Sequence, residues 1–137
     1  MKNEKIFADT SFWVAVLDNR DQWHRAALEA SDRIKYYKII TTEAVLIEVL
    51  NYFSEFHADV KKYAADYVEE ILKDAETLVL LHDHKDFLRA LKLYKIRLDK
   101  GYSLTDCISM NAMREFGIAE VFTNDTHFSQ EGFTQLF

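Results

Sequence analysis

Two rhythms alternate along this chain. Ile6-Phe7-Ala8, Lys38-Ile39-Ile40-Thr41, Thr77-Leu78-Val79-Leu80-Leu81 and Glu120-Val121-Phe122-Thr123 are short, largely apolar runs with the length of buried strands. Between them, apolar residues recur every three or four positions, as on a helix with one buried face. Phe12, Trp13, Val16 and Leu17 predict a first helix behind Asp9-Thr10-Ser11, whose side chains suit a helix start. Trp23, Ala26, Ala27, Ala30 and Ile34 predict a second, over Gln22 to Lys35. Thr42 is placed to cap a third, running from Glu43 toward Phe56. A fourth starts at Asp59, with Val60, Tyr63, Ala64, Tyr67, Val68, Ile71 and Leu72 on one face. His84 to Asp99 predicts a fifth, with Phe87, Leu91, Tyr94 and Leu98 in register and Gly101 as its break. Ser103 or Thr105 caps a sixth that runs to Phe116 and ends at Gly117. Phe133 to Phe137 is a candidate fifth strand.

Strands alternating with helices predict an α/β fold with a mainly parallel sheet. Such sheets carry their sites outside the carboxyl ends of the strands. The length, 137 residues, suits one domain spanning 1–137. With 10 Phe, 7 Tyr and 2 Trp there is ample core material, which excludes a disordered chain. The lysines and isoleucine near the start read as part of the first strand rather than as a signal peptide. The single cysteine, Cys107, makes no internal disulfide, and no apolar run is long enough for a bilayer. The expectation is a cytoplasmic protein with no membrane association. The net charge of −6 has the wrong sign for holding nucleic acid by charge alone, but suits carboxylates gathered around cations.

Four acids stand where the topology places a site. Asp9 follows the first strand and Asp125 the fourth. Asp106 lies in the first turn of a helix, whose dipole favours an ionised carboxylate. Glu48 interrupts the apolar run Ala44-Val45-Leu46-Ile47-Glu48-Val49-Leu50, and no Lys or Arg lies three or four residues away to pair with it. Each acid alone has a structural alternative: a cap, a turn, or a partner for a distant cation. Together at one sheet edge they repel one another unless cations intervene. Hard carboxylate oxygens suit Mg²⁺ or Mn²⁺. Two such ions about 3.5–4 Å apart activate water and stabilise a leaving oxygen in phosphodiester cleavage. Thr10, Ser11 and Asn124 are neutral neighbours able to orient water or the scissile phosphate.

Phe7-Ala8-Asp9-Thr10-Ser11, Glu48 within a helix, Ser103-Leu104-Thr105-Asp106-Cys107 and Phe122-Thr123-Asn124-Asp125-Thr126-His127-Phe128 together resemble the PIN-domain family, and within it the VapC-type toxins. The resemblance spans essentially the whole chain. It implies a three-layer α/β/α sandwich with a mainly parallel central sheet. It also implies a divalent-metal ribonuclease acting on RNA, homodimerisation, and inhibition by a cognate antitoxin reaching into the acidic crevice. Asp9, Glu48, Asp106 and Asp125 match the family's acids; Asp99 is an outer candidate, and Asn124 departs from the family's more apolar usage.

Other features carry less. His82-Asp83-His84 reads as a polar turn, His24 as a packing residue, His127 as a turn residue and Cys107 as a core thiol. The Tyr52-Phe53-Ser54-Glu55-Phe56 stretch reads as core or dimer surface rather than a base-stacking platform. Arg20, Arg25, Arg33, Lys35 and Lys38 read as a solvated face, with guidance of RNA as the alternative. Two rival functions remain: a non-catalytic module binding RNA or a partner, and a phosphatase with Asp9 as nucleophile. The second lacks the closely spaced second Asp such enzymes carry, since Ser11 stands there.

Overall fold

The computed structural model describes residues 4–137. Of the lysines read as part of the first strand, Lys5 lies in it and Lys2 is outside the described residues. Five strands appear among the described residues: β1 (Glu4–Ala8), β2 (Tyr37–Thr42), β3 (Thr77–Leu80), β4 (Glu120–Phe122) and β5 (Thr134–Gln135). They form one sheet in the order β3-β2-β1-β4-β5, and every pairing is parallel. Between them run α1 (Thr10–Leu17), α2 (His24–Arg33), α3 (Glu43–Tyr52), α4 (Ala58–Lys73), α5 (His84–Ile96), α6 (Leu104–Glu115) and α7 (His127–Gln130).

Successive strand residues point to opposite faces of a sheet. Ile6, Phe7 and Ala8 are all buried, so both faces of β1 are covered, and the fold is an α/β/α sandwich. Phe12 of α1 stacks on Phe122 of β4 with ring centroids 5.0 Å apart, tying the helix after β1 to the neighbouring strand. No helix among the described residues is long and apolar enough to cross a membrane.

The elements follow the hydrophobic pattern, with informative departures. The second helix ends at Arg33 and passes through a 3-10 turn, Ile34–Tyr36, before β2. The third stops at Tyr52, leaving Phe53 to Phe56 as turns. On α4, Ala64, Val68 and Ile71 are buried, whereas Val60, Tyr63 and Leu72 are exposed. The fifth helix departs most. Phe87, Leu91, Tyr94 and Leu98, expected to face inward, are all exposed, and Ala90 is buried instead. The reason is that α5 packs on α6, where small Ala90 permits close approach, and its apolar stripe turns away. At the end of α6, Gly117 adopts φ 65, a left-handed conformation that suits glycine.

Candidate active site

The strand order reverses between β1 and β4: after β1 the chain builds β2 and β3 on one side, then returns to lay β4 and β5 on the other. The carboxyl ends of β1 and β4 therefore flank a switch-point crevice. The backbone N–H of Asp9 donates to the Phe122 carbonyl over 3.1 Å, fixing the two ends side by side.

A cavity of about 380 Å³ opens there. Its walls include Asp9, Glu48, Asp106 and Asp125, the four acids singled out from sequence, and also Asp21. Thr10, Ser11 and Asn124 line it too, whereas Asp99 does not. Asp99 is exposed in the connection after α5, where its carboxylate lies 3.7 Å from the Lys100 ammonium. Among the described residues lining the cavity there is no Lys or Arg.

Each acid is held by local structure. Asp9 sits at the end of β1 in extended conformation, just before α1, but caps nothing with its side chain. Its Oδ2 accepts a hydrogen bond of 3.0 Å from Thr123 Oγ1, and its Oδ1 is buried without a partner. Glu48 rides on α3, whose start is capped by Thr42 accepting from the Val45 N–H over 3.0 Å. Asp106 closes a capping box at the start of α6. Its Oδ2 accepts from the Ser103 N–H at 3.0 Å, and its own N–H donates to Ser103 Oγ at 3.0 Å. Asp125 is fixed by its N–H, which donates to Thr123 Oγ1 at 2.9 Å, and by Oδ1, which accepts from the His127 N–H at 2.9 Å.

Thr123, fully buried, is the hub that sequence reasoning passed over. A hydroxyl has one proton and two lone pairs. With the proton given to Asp9, Thr123 accepts from Asp125 N–H and from Ser11 Oγ, 2.9 Å away. Ser11 in turn accepts from the Asn124 N–H at 3.2 Å. The β1–α1 and β4–α7 junctions are thereby laced together.

Burial and mutual repulsion act on these carboxyls. Burial, then the charge of Asp106 and more weakly that of Glu48, push Asp9 up to about 7. Burial, with Asp125 and Glu48 nearby, also raises Asp106. A buried, partnerless carboxylate oxygen among like charges fits a divalent cation. His127, expected to be a turn residue, is in fact part of the cluster. Its Nδ1 lies 3.1 Å from Asp125 Oδ1 and 3.4 Å from Asp106 Oδ2, and the three side chains bring ligand atoms within 4.8 Å of one another.

The remaining candidates stay structural. Asp83 caps α5, and His24 Nδ1 bonds the Ala15 carbonyl at 2.7 Å. Cys107 is buried, its thiol pushed up to about 11 by burial and by Asp106.

The family model for the PIN domain matches residues 6–133. Among solved structures, the sarcin–ricin-loop-cleaving toxin VapC20 of Mycobacterium tuberculosis is 25% identical, with a TM-score of 0.85 over 96% of this chain and 98% of its own. The DNA-bound VapBC of Salmonella typhimurium is 16% identical, with a TM-score of 0.67 over 97% of each chain. FitAcB from Neisseria gonorrhoeae is 13% identical, with a TM-score of 0.66 over 96% of each. No curated protein sequence matches at a significant level.

Proposed function

The chain belongs to the PIN-domain family, and on that premise we propose that it is a divalent-metal-dependent endoribonuclease, the toxin of a toxin–antitoxin pair. One observation carries this reading: five carboxylates line a single cavity that has no cationic side chain among its described walls, and one of them keeps a buried, bare oxygen. Such a cluster favours bound cations over any all-protein pairing. The donors are hard oxygens, which suits Mg²⁺ or Mn²⁺. The 25% identical Mycobacterium tuberculosis relative is a loop-cleaving toxin, which supports an RNA substrate and an antitoxin partner.

Asp9, Glu48, Asp106 and Asp125 would hold the ions. Bound there, divalent cations supply neutralisation of phosphate charge and ionisation of water at neutral pH. The protein does the rest by position. Thr123 fixes the Asp9 carboxylate through Oδ2 and leaves Oδ1 bare. Ser103 engages Asp106 through Oδ2 alone among its hydrogen bonds. The Thr10 hydroxyl is buried without a partner beside the acids, a donor ready for a phosphate oxygen or a water. Ser11 and Thr123 position Asn124 and Asp125 at the rim.

A homodimer is part of the proposal. The outward stripe of α5, with Phe87, Leu88, Leu91, Tyr94 and Ile96 exposed, is apolar surface of the kind that a second copy buries.

The deciding experiment is incubation of a structured RNA pool with the purified chain in Mg²⁺ or Mn²⁺, in chelator, and with Asp106→Asn. Metal-dependent cleavage lost in the variant is expected. An inert wild type, in a preparation free of bound inhibitor, would instead favour the non-catalytic module.

A further inference from the structure

The crevice poses an electrostatic problem for its own substrate. Five carboxylates face a polyanion, and no described wall residue is Lys or Arg. Divalent ions offset the repulsion at the scissile phosphate, but the neighbouring nucleotides need a grip that does not depend on charge. Aromatic stacking supplies one, since every base has a π-face.

Two exposed rings stand in this cavity with the acids. Trp23, read from sequence as the buried face of the second helix, is 40% exposed; Tyr52, read as core or dimer surface, is 45% exposed. Both are held rather than loose. Tyr52 ends α3 four residues after Glu48, which puts the two on one face of the helix. Its hydroxyl donates to Asp18 Oδ2 at 3.0 Å, and its ring packs on Phe53 at 4.9 Å and Phe56 at 5.4 Å. Trp23 sits at the start of α2, where its N–H donates to Asp21 Oδ1 at 2.8 Å, and its ring meets Phe137 edge-to-face at 6.3 Å. The cavity, about 380 Å³, is within the size range of small-ligand pockets, about 300–1,000 Å³. Two fixed, solvent-facing rings beside a phosphate-directed acidic cluster form the arrangement used to hold unpaired nucleotides.

We propose that Trp23 and Tyr52 are base-stacking residues that grip unpaired nucleotides adjoining the scissile phosphate. The inference rests on the ribonuclease reading above and selects single-stranded or looped RNA over duplex, whose bases are already stacked.

The test uses the full chain with a short unstructured oligoribonucleotide carrying a fluorescent end label, in Ca²⁺ to limit hydrolysis. Trp13 is buried at 6% exposure, so quenching of the solvent-exposed tryptophan emission reports Trp23. Quenching by the oligonucleotide is expected, and none by an abasic strand of equal length. Trp23→Ala and Tyr52→Ala should each weaken anisotropy-detected binding about tenfold. Trp23→Phe and Tyr52→Phe, which keep a ring, should bind within about twofold of wild type, and this separates stacking from the Tyr52–Asp18 hydrogen bond. Absent quenching, equal affinity for the abasic strand, or alanine variants that bind like wild type would overturn the proposal and assign the rings to a protein partner. Metal-dependent cleavage alongside those results would leave the nuclease reading standing; ring-dependent binding without cleavage would remove the nuclease reading and keep the platform.

Discussion

Thr123 Oγ1 donates to Asp9 Oδ2 over 3.0 Å across 114 residues of sequence, and it is the bond on which the geometry of the crevice depends. Replacing Thr123 by Val keeps the shape but leaves the Asp125 N–H and Ser11 without their acceptor. We expect a stability loss of about 1–3 kcal/mol. Divalent-metal affinity should fall about 10–100-fold, because the carboxylate is no longer oriented. Thr123→Ser should retain most of both. Thermal unfolding and calorimetric Mn²⁺ titration read the two effects separately.

Asp9 makes the metal-free protein pH-sensitive in an unusual direction. Folded Asp9 keeps its proton to about pH 7, whereas the reference value is 3.8. Between those limits the folded state binds more protons than the unfolded one, so this contribution to stability is full at low pH and is lost as pH rises to 7. The gap corresponds to about 4 kcal/mol at most. The Asp9→Asn variant should therefore exceed the metal-free wild type in stability most at pH 8 and by clearly less at pH 5. Urea denaturation at both pH values, with and without Mg²⁺, tests this; added metal should narrow the difference at pH 8.

Asp106→Asn separates chemistry from folding. The amide oxygen still accepts from the Ser103 N–H, so the capping box at α6 survives and stability should stay within about 1 kcal/mol. Cleavage should fall by about 100-fold or more. Glu48→Gln should do likewise. Cleavage assays paired with thermal melts decide whether the loss is chemical.

His127 predicts metal preference. A ring nitrogen beside Asp106 and Asp125 favours Mn²⁺, which accepts nitrogen ligands more readily than Mg²⁺. His127→Ala should lower Mn²⁺ affinity about tenfold and Mg²⁺ affinity less. Competition titrations measure the ratio; equal losses would show that the histidine does not select between the ions, and no loss that it only packs.

Leu91→Glu tests the dimer. Leu91 is 38% exposed on the outward stripe of α5, so the substitution costs the isolated subunit little. Light scattering after gel filtration should show a shift to monomer. A monomeric wild type would dismiss this surface as the interface.

Much of this was readable beforehand because it is local or topological. The runs at Ile6 and Val121 mark strands, and an acid immediately after a strand end lies at the carboxyl edge of a parallel sheet whatever the loops do. Glu48 stood out because a carboxylate inside an apolar helix needs a reason. What was not readable depends on long-range geometry. Thr123 reads as the last residue of a strand, and two of its three partners, Asp9 and Ser11, reach it only when β1 and β4 pair. His127 lies two residues from Asp125, but only the turn into α7 brings its ring to Asp106. Asp99 has the composition of a ligand, but the connection after α5 carries it away from the cavity. The stripe on α5 has a real helical period, yet periodicity does not say whether the apolar side meets this chain or another.

The sheet order has a further consequence, for the chain as it leaves the ribosome. Asp9 is made 114 residues before its partner Thr123, although β4 lies directly beside β1 in the sheet. A nascent chain therefore carries Asp9 without a completed crevice until the segment with Thr123 and Asp125 has been made. For a protein read as an enzyme that destroys RNA, this dependence would hold activity back until β4 is made, and a chain cut short before β4 is expected to lack it.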